Sequence, residues 1–253
     1  MIPLIRERWA EARPLAGEGR AGLLFAPHLV RTGRGDWWVD RWPAPTAMVL
    51  FVGGNLAIAG DAQRIGREFL AGAVTELLRE WDRVFIDVPD ALHNALGPLQ
   101  PWPLIAATAA AARGPIAPTS GAEVRRLAGT DLPALSGLDA SLHWIGDTWG
   151  GLRALAESGR AWSAWVQGEL AALSAPGFVG DTIEDVFVVT EPAFRGRGLS
   201  PACAGQVLRE VAEAGHRASW TTWPANRASL RVAEKLGFSG WREHQTWIAG
   251  EGL

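Results

Sequence analysis

Apolar and polar positions alternate with two different periods along this chain, and the switches between them mark its elements. In the second half, "EVRRLA" (123–128), "RAWSAWVQ" (160–167), "ELAALSAPGFV" (169–179), "TIEDVFVVT" (182–190), "RASWTTW" (217–223) and "WREHQTWIAG" (241–250) read as strands. "TDLPALSGLD" (130–139) predicts a helix, with Thr130 or Asp131 as its cap and Pro133 in its first turn. "WGGLRALAESG" (149–159) predicts a second helix, ending at Gly159. A third runs to about residue 214 after a glycine loop, and "NRASLRVAEKLGF" (226–238) predicts a fourth. The resulting order, β-α-α-β-β-β-α-β-α-β, is that of an α/β layer on a mixed sheet.

The first half is patterned less clearly. An Arg/Glu-rich helix is expected over roughly residues 2–12, then strands at "DWWVDRW" (36–42), "TAMVLFVG" (46–53) and "NLAIAG" (55–60). "GGN" at 53–55 is hairpin-turn chemistry. Ile65, Phe69, Leu70, Val74, Leu77 and Leu78 recur at helical spacing over 62–80, and "RVFIDV" (83–88) reads as a buried strand. "PWPLIAATAAAAR" (101–113) fits either period: alanine favours helix, while flanking prolines and brevity permit strand. "ARGPIAPTSGAE" (112–123) has two prolines and two glycines between apolar segments. It predicts a linker near residue 118, dividing a smaller N-terminal α/β domain (1–118) from a C-terminal one (119–253). No internal repeat is visible.

Composition narrows the class. With 253 residues, 48% hydrophobic and 20% charged, the chain has an ordinary globular composition. A net charge of -3 gives no case for nucleic acid or an anionic membrane as partner. No apolar run approaches the roughly 20 residues of a spanning helix. The first residues carry acids and arginines where a signal peptide has its apolar region. The single cysteine, Cys203, fits a reducing compartment and a cytoplasmic protein, and is expected to be packed rather than catalytic. The five histidines show no metal spacing, so no metal is expected. Fourteen tryptophans stand against no tyrosine, which removes a common catalytic acid.

The chemistry concentrates at "FRGRGLSPACAGQVL" (194–208), which joins a Val/Phe-rich strand to a helix. The first turn of a helix leaves several N–H groups without intrahelical partners, and the helix dipole adds partial positive charge there. Gly196 and Gly198 lack a Cβ, so a phosphate can approach the backbone, and Arg195 and Arg197 add donors. Downstream, Asn226 stands at a second strand–helix junction, and Gly237-Phe238 closes that helix.

This pairing of motifs resembles the GNAT superfamily of acetyl-CoA-dependent N-acetyltransferases. The family's pyrophosphate signature, Arg or Gln, two residues, Gly, one residue, Gly or Ala, is met by Arg195, Gly196, Arg197, Gly198, Leu199 and Ser200, with Ser200 departing at the last position. The resemblance covers about residues 120–250. The first half loosely resembles the degenerate partner domain of two-domain members, for which one coenzyme A per chain is expected. The resemblance implies a GNAT-type fold and transfer of an acetyl group from acetyl-CoA to a primary amine of a small molecule or peptide, by direct attack in a ternary complex. It implies that two strands splay apart and that the pantetheine arm bonds the main chain of Val188 and Val189. Amides from Arg197 to Ser200 would hold the pyrophosphate, an N–H near Val188 would polarise the thioester carbonyl, and Asn226 would bond pantetheine or water. A strand carboxylate often serves as base in the family. Glu184 and Asp185 are the candidates, on opposite faces, and Glu184 is the expected base. The tyrosine that often protonates the leaving thiolate is replaced by Ala233.

Other readings remain at this point. The missing tyrosine also suits a non-catalytic acyl-CoA-binding or sensor protein, and glycine loops alone suit a nucleotide-binding protein. "GEGRAG" (17–22) matches a dinucleotide pattern but follows Pro14 rather than a strand, and reads as a loop. In "SLHWIGDTWGG" (141–151), His143, Trp144, Asp147 and Trp149 suit an amine through charge and cation–π contact, or equally a packed core with a capping acid. The acceptor is not identified by sequence, and a monomer or homodimer is expected.

Overall fold

The computed structural model describes residues 1–17, 24–88, 96, 99–109, 116–117 and 121–250. The 17–22 glycine pattern, the proline-rich 87–98 stretch and the 112–123 linker lie mostly outside the described residues. In chain order the elements are β1 (Ile2–Pro3), α1 (Trp9–Ala12), α2 (Phe25–Thr32), β2 (Asp36–Val39), β3 (Ala47–Val52), β4 (Asn55–Gly60), α3 (Arg67–Leu77), β5 (Arg83–Asp87) and β6 (Gln100–Ala109). There follow β7 (Ala122–Arg126), α4 (Leu132–Ser136), a 3-10 helix at Ala140–Trp149, α5 (Leu152–Glu157), β8 (Trp162–Val166), β9 (Glu169–Val179) and β10 (Ile183–Thr190). The chain ends with α6 (Leu199–Glu213), β11 (Arg217–Thr222), α7 (Arg227–Leu236) and β12 (Phe238–Gly250).

The chain forms two compact units. The first comprises Met1–Gly19, Phe25–Leu104 and Glu243–Leu253; the second comprises Arg20–Leu24 and Ile105–Arg242. The division is not a single cut near residue 118, because β6 and β12 each pass from one unit into the other. Ile105–Thr108 of β6 lies antiparallel on β11 in the second unit. Trp247–Gly250 of β12 lies antiparallel on β5 in the first.

In the first unit β1, β2, β3 and β4 pair antiparallel, and β5 joins β4 in parallel. Gly53 and Gly54 both have positive φ in the β3–β4 turn, as the "GGN" pattern predicts. Leu70 and Val74 of α3 bury against Val49, Phe51, Leu56, Val84 and Ile86. The helix expected at 2–12 is a correction: Ile2 and Pro3 pair with β2, and only Trp9–Ala12 is α-helical. The ambiguous 101–113 segment is strand through Ala109.

In the second unit β7, β8, β9 and β10 form an antiparallel meander, and β11 lies parallel to β10. This is the mixed α/β sheet expected from the pattern. Val186 and Val188 pack with Ala204, Val207 and Leu208 of α6, and with Ala233 and Leu236 of α7. Phe187 and Val189 face the other way, toward Leu135, Leu142, Ile145 and Leu155. Burying each such Val or Leu is worth roughly 1.5–3 kcal/mol, so β10 is gripped from both faces.

The structure also contains a repeat of topology that the residues conceal. β4–turn–α3–β5 and β10–turn–α6–β11 follow the same course, each helix is capped by a glycine (Gly66 and Gly198), and each parallel pairing spans three residues. Gln63 and Gly66 keep the spacing of the Arg195–Ser200 motif, but Glu68 sits in the first turn of α3 where α6 has Ser200.

Candidate functional site

The site begins with a fork between two strands. β10 and β11 pair over Ile183↔Arg217, Glu184↔Ala218 and Asp185↔Ser219, and no further. β10 continues to Thr190 on β9, while β11 continues to Thr222 on β6. A bulge marks the parting: Asp185 faces Phe178 and Val186 faces Pro176, so Gly177 is the extra residue of β9. The Phe187 ring fills the space that a side chain at Gly177 would need.

The fork leaves half of the β10 main chain free of a strand partner. Glu191 N–H donates to Ala171 O at 2.9 Å, and Ser174 Oγ donates to Phe187 O at 2.8 Å. Residues 187, 189 and 191 therefore turn their main-chain groups to β9, and alternation turns those of Val186, Val188 and Thr190 to the gap. Val188 has its peptide groups on the gap side and its side chain toward α6. Val189 has its peptide groups on β9, and its side chain buries among Leu173, Leu135 and Leu142.

Beyond Thr190 the chain makes a 3-10 turn at Pro192–Phe194 and enters α6 through Gly196 (φ 78°) and Gly198 (φ 72°). Only glycine adopts such φ values without strain. Open space surrounds the position of a Cβ on Gly196. Gly198 is the N-cap of α6 and supplies no side-chain cap to the first-turn amides of Leu199 and Ser200. Arg197 lies over the Phe194 ring at 5.1 Å, and Arg195 Nε donates back to Thr190 O at 3.4 Å. Thr190 Oγ1 and Ser200 Oγ are 2.5 Å apart and tie the strand end to the helix start. Asn226 caps α7 by accepting from Ser229 N–H at 3.1 Å. Gly237 ends that helix at φ 93°, and Phe238 packs on Trp220 at 5.4 Å.

The two carboxylates of β10 have different surroundings. Glu184, 1% exposed, is bound through one oxygen by Arg160, and its other oxygen lies 2.8 Å from His216 Nδ1. Both its oxygens are engaged at the paired end of the strands. Asp185, on the opposite face, sits at the vertex of the fork. Its Oδ1 accepts from Ser219 Oγ at 2.6 Å and from Thr221 Oγ1 at 3.1 Å. Burial pushes its carboxyl up to about 6, against the opposing pull of those two hydroxyls. Cys203 is buried on α6 and its thiol is pushed up to about 12, which makes it a poor nucleophile.

The face of β10 that carries Asp185 and Phe187 is covered by the 3-10 helix Ala140–Trp149. Thr148 Oγ1 donates to Gly177 O at 2.6 Å, and Trp149 Nε1 to Pro176 O at 2.8 Å, which clamps this helix to the bulge. Trp144 lies on the Phe187 ring at 5.4 Å.

Residues 124–247 match the family model for GNAT acetyltransferase. An uncharacterised N-acetyltransferase of Streptomyces virginiae is 32% identical over 211 residues, 82% of this chain and 86% of that relative. The chain belongs to the GNAT acetyltransferase family. The GNAT fold extends beyond the matched residues. A GCN5-related N-acetyltransferase-like protein from Streptococcus suis superposes with a TM-score of 0.68 at 16% identity, covering 95% of this chain and 98% of that one. A tandem GNAT protein from the clavulanic acid biosynthesis pathway does so with a TM-score of 0.62 at 16% identity, covering 100% and 98%. GNAT acetyltransferases typically use acetyl-CoA and an acceptor. Among the described residues no helix of this one is long and apolar enough to cross a membrane.

Arg160, His216, Ser219 and Thr221 were not singled out from the sequence. Their partners lie 24 to 36 residues away, so no local spacing announces them. The position that the resemblance gives to a tyrosine is Ala233, fully buried against the core.

Proposed function

We propose that this GNAT acetyltransferase moves an acetyl group from acetyl-CoA to a primary amine by direct attack in a ternary complex. The observation that carries the reading is the fork of β10 and β11 beside the uncapped start of α6. Acetyl-CoA supplies the acetyl group activated as a thioester. The main chain of Val188 borders the gap, where its N–H can bond the thioester oxygen as charge develops there. Val189 contributes packing only. The amides from Arg197 to Ser200, with the Arg195 and Arg197 side chains, receive the pyrophosphate. Asn226 contributes the part of its amide not used in capping.

The base is reassigned from Glu184 to Asp185. Glu184 would have to leave an ion pair to accept a proton. Asp185 stands at the vertex and connects to the gap through the half-buried Thr221 hydroxyl. The amine nitrogen forms a bond to the acetyl carbon, the carbon–sulfur bond breaks, and the amine's proton passes through Thr221 to Asp185. The thiolate leaves with a proton from water or from the acceptor, since Ala233 has none to give. An inert Cys203 accords with direct attack rather than an acetyl-enzyme.

Thiol release from acetyl-CoA across a panel of primary amines tests the reading, with Thr221→Val expected to lower kcat about tenfold or more. A binding-only protein, the reading favoured by Ala233, would bind coenzyme A and acetylate none of them.

A further inference from the structure

The 3-10 helix Ala140–Trp149 presents its residues in three rows, because side chains three apart eclipse. Leu142, Ile145 and Thr148 are buried and form the row that packs inward. The next row holds Trp144 and Asp147. Trp144 is 43% exposed, although its ring rests on Phe187 of β10. Asp147 stands one turn further, about 6 Å along the helix axis. An indole face with a carboxylate beside it is the arrangement that holds an organic cation, through the ring quadrupole and charge together. Burial pushes the Asp147 carboxyl up to about 6, with only His143 acting in the other direction. A bound cation would offset that cost.

Phe187 is two residues from Asp185 along β10, about 7 Å at strand spacing. The Trp144–Asp147 row is therefore set back from Asp185, the carboxylate that takes the reacting nitrogen's proton. We propose that Trp144 and Asp147 bind a second, non-reacting cationic group of the acceptor, so that the substrate class is a diamine or a comparable amine bearing another positive charge. This rests on the acetyl-transfer reading. It rests also on Asp185 as the base, from which that spacing is measured.

The test compares 1,5-diaminopentane with 1-aminopentane, two probes alike except for the second charge. The expected kcat/KM for the diamine is at least tenfold higher, mainly through KM, and Asp147→Asn and Trp144→Leu should each collapse that ratio toward one. Equal kcat/KM for the two amines, or a ratio unchanged in Asp147→Asn, overturns the proposal while leaving acetyl transfer intact. If neither amine is acetylated, calorimetric titration of 1,5-diaminopentane into the coenzyme A-loaded protein reads the site directly. Binding that Asp147→Asn abolishes supports the proposal, and no binding overturns it.

Discussion

Replacing Asp185 with asparagine should stabilise the protein at neutral pH while slowing it. The side chain keeps its shape and its acceptor toward Ser219 and Thr221, loses the charge, and exchanges its second oxygen for an NH2 donor. Burial raises this carboxyl from 3.8 to about 6. Ionising it in the folded state therefore costs about 3 kcal/mol relative to the unfolded chain. The sign follows from the folded value being the higher one. The wild type is unpenalised below about pH 4, loses stability as pH rises toward 6, and carries the full cost above that. The asparagine NH2 needs a partner that the carboxylate did not, which removes about 1 kcal/mol of the gain. Denaturant unfolding should thus show Asp185→Asn more stable by about 2 kcal/mol at pH 8, with the gain gone at pH 4. Turnover should fall at least tenfold, and the wild-type rate should decline as pH falls through about 6. A variant less stable than wild type by the same margin at both pH values would refute the reasoning. Asp185 would then be a structural tie between β10 and β11 with no cost of charge.

Glu184→Gln removes the partner of Arg160 and His216 at a buried position, and should destabilise by about 3 kcal/mol in denaturant while leaving the pH–rate profile of the folded enzyme unchanged. An altered profile would return Glu184 to the mechanism. Gly177→Ala drives a methyl group into the Phe187 ring; it should cost about 2 kcal/mol and raise the acceptor KM, because Thr148 and Trp149 clamp the 3-10 helix to this same bulge. An unaltered melting temperature would show that the bulge relaxes freely.

Local rules made the second unit readable. β8, β9 and β10 are mainly apolar runs bounded by turn residues, α6 and α7 repeat at helical spacing, and Gly196, Gly198 and Gly237 stand where positive φ is required. The strand–loop–helix core of the site was legible for that reason. The 3-10 helix Ala140–Trp149 was not, because its period of three matches neither template. α2 was missed because Pro27 and the buried His28 interrupt the pattern of Phe25, Ala26 and Leu29. The passage of β6 and β12 between units could not be seen, since a strand's sequence does not name its neighbour. The linker composition therefore suggested a boundary that the strand pairing does not follow. The topological repeat was hidden by Glu68. A carboxylate in the first turn of α3 opposes a phosphate there, and supports one coenzyme A site per chain rather than two.

Calorimetric titration of coenzyme A into the full-length chain tests the central claim most directly. Gly198→Glu puts a side chain and a negative charge at the entrance to α6, and Gly198→Ala controls for strain at φ 72°. The account predicts one site per chain in the wild type, weaker binding in Gly198→Ala and none in a folded Gly198→Glu. Unchanged affinity in Gly198→Glu, or two equivalent sites per chain, would contradict it.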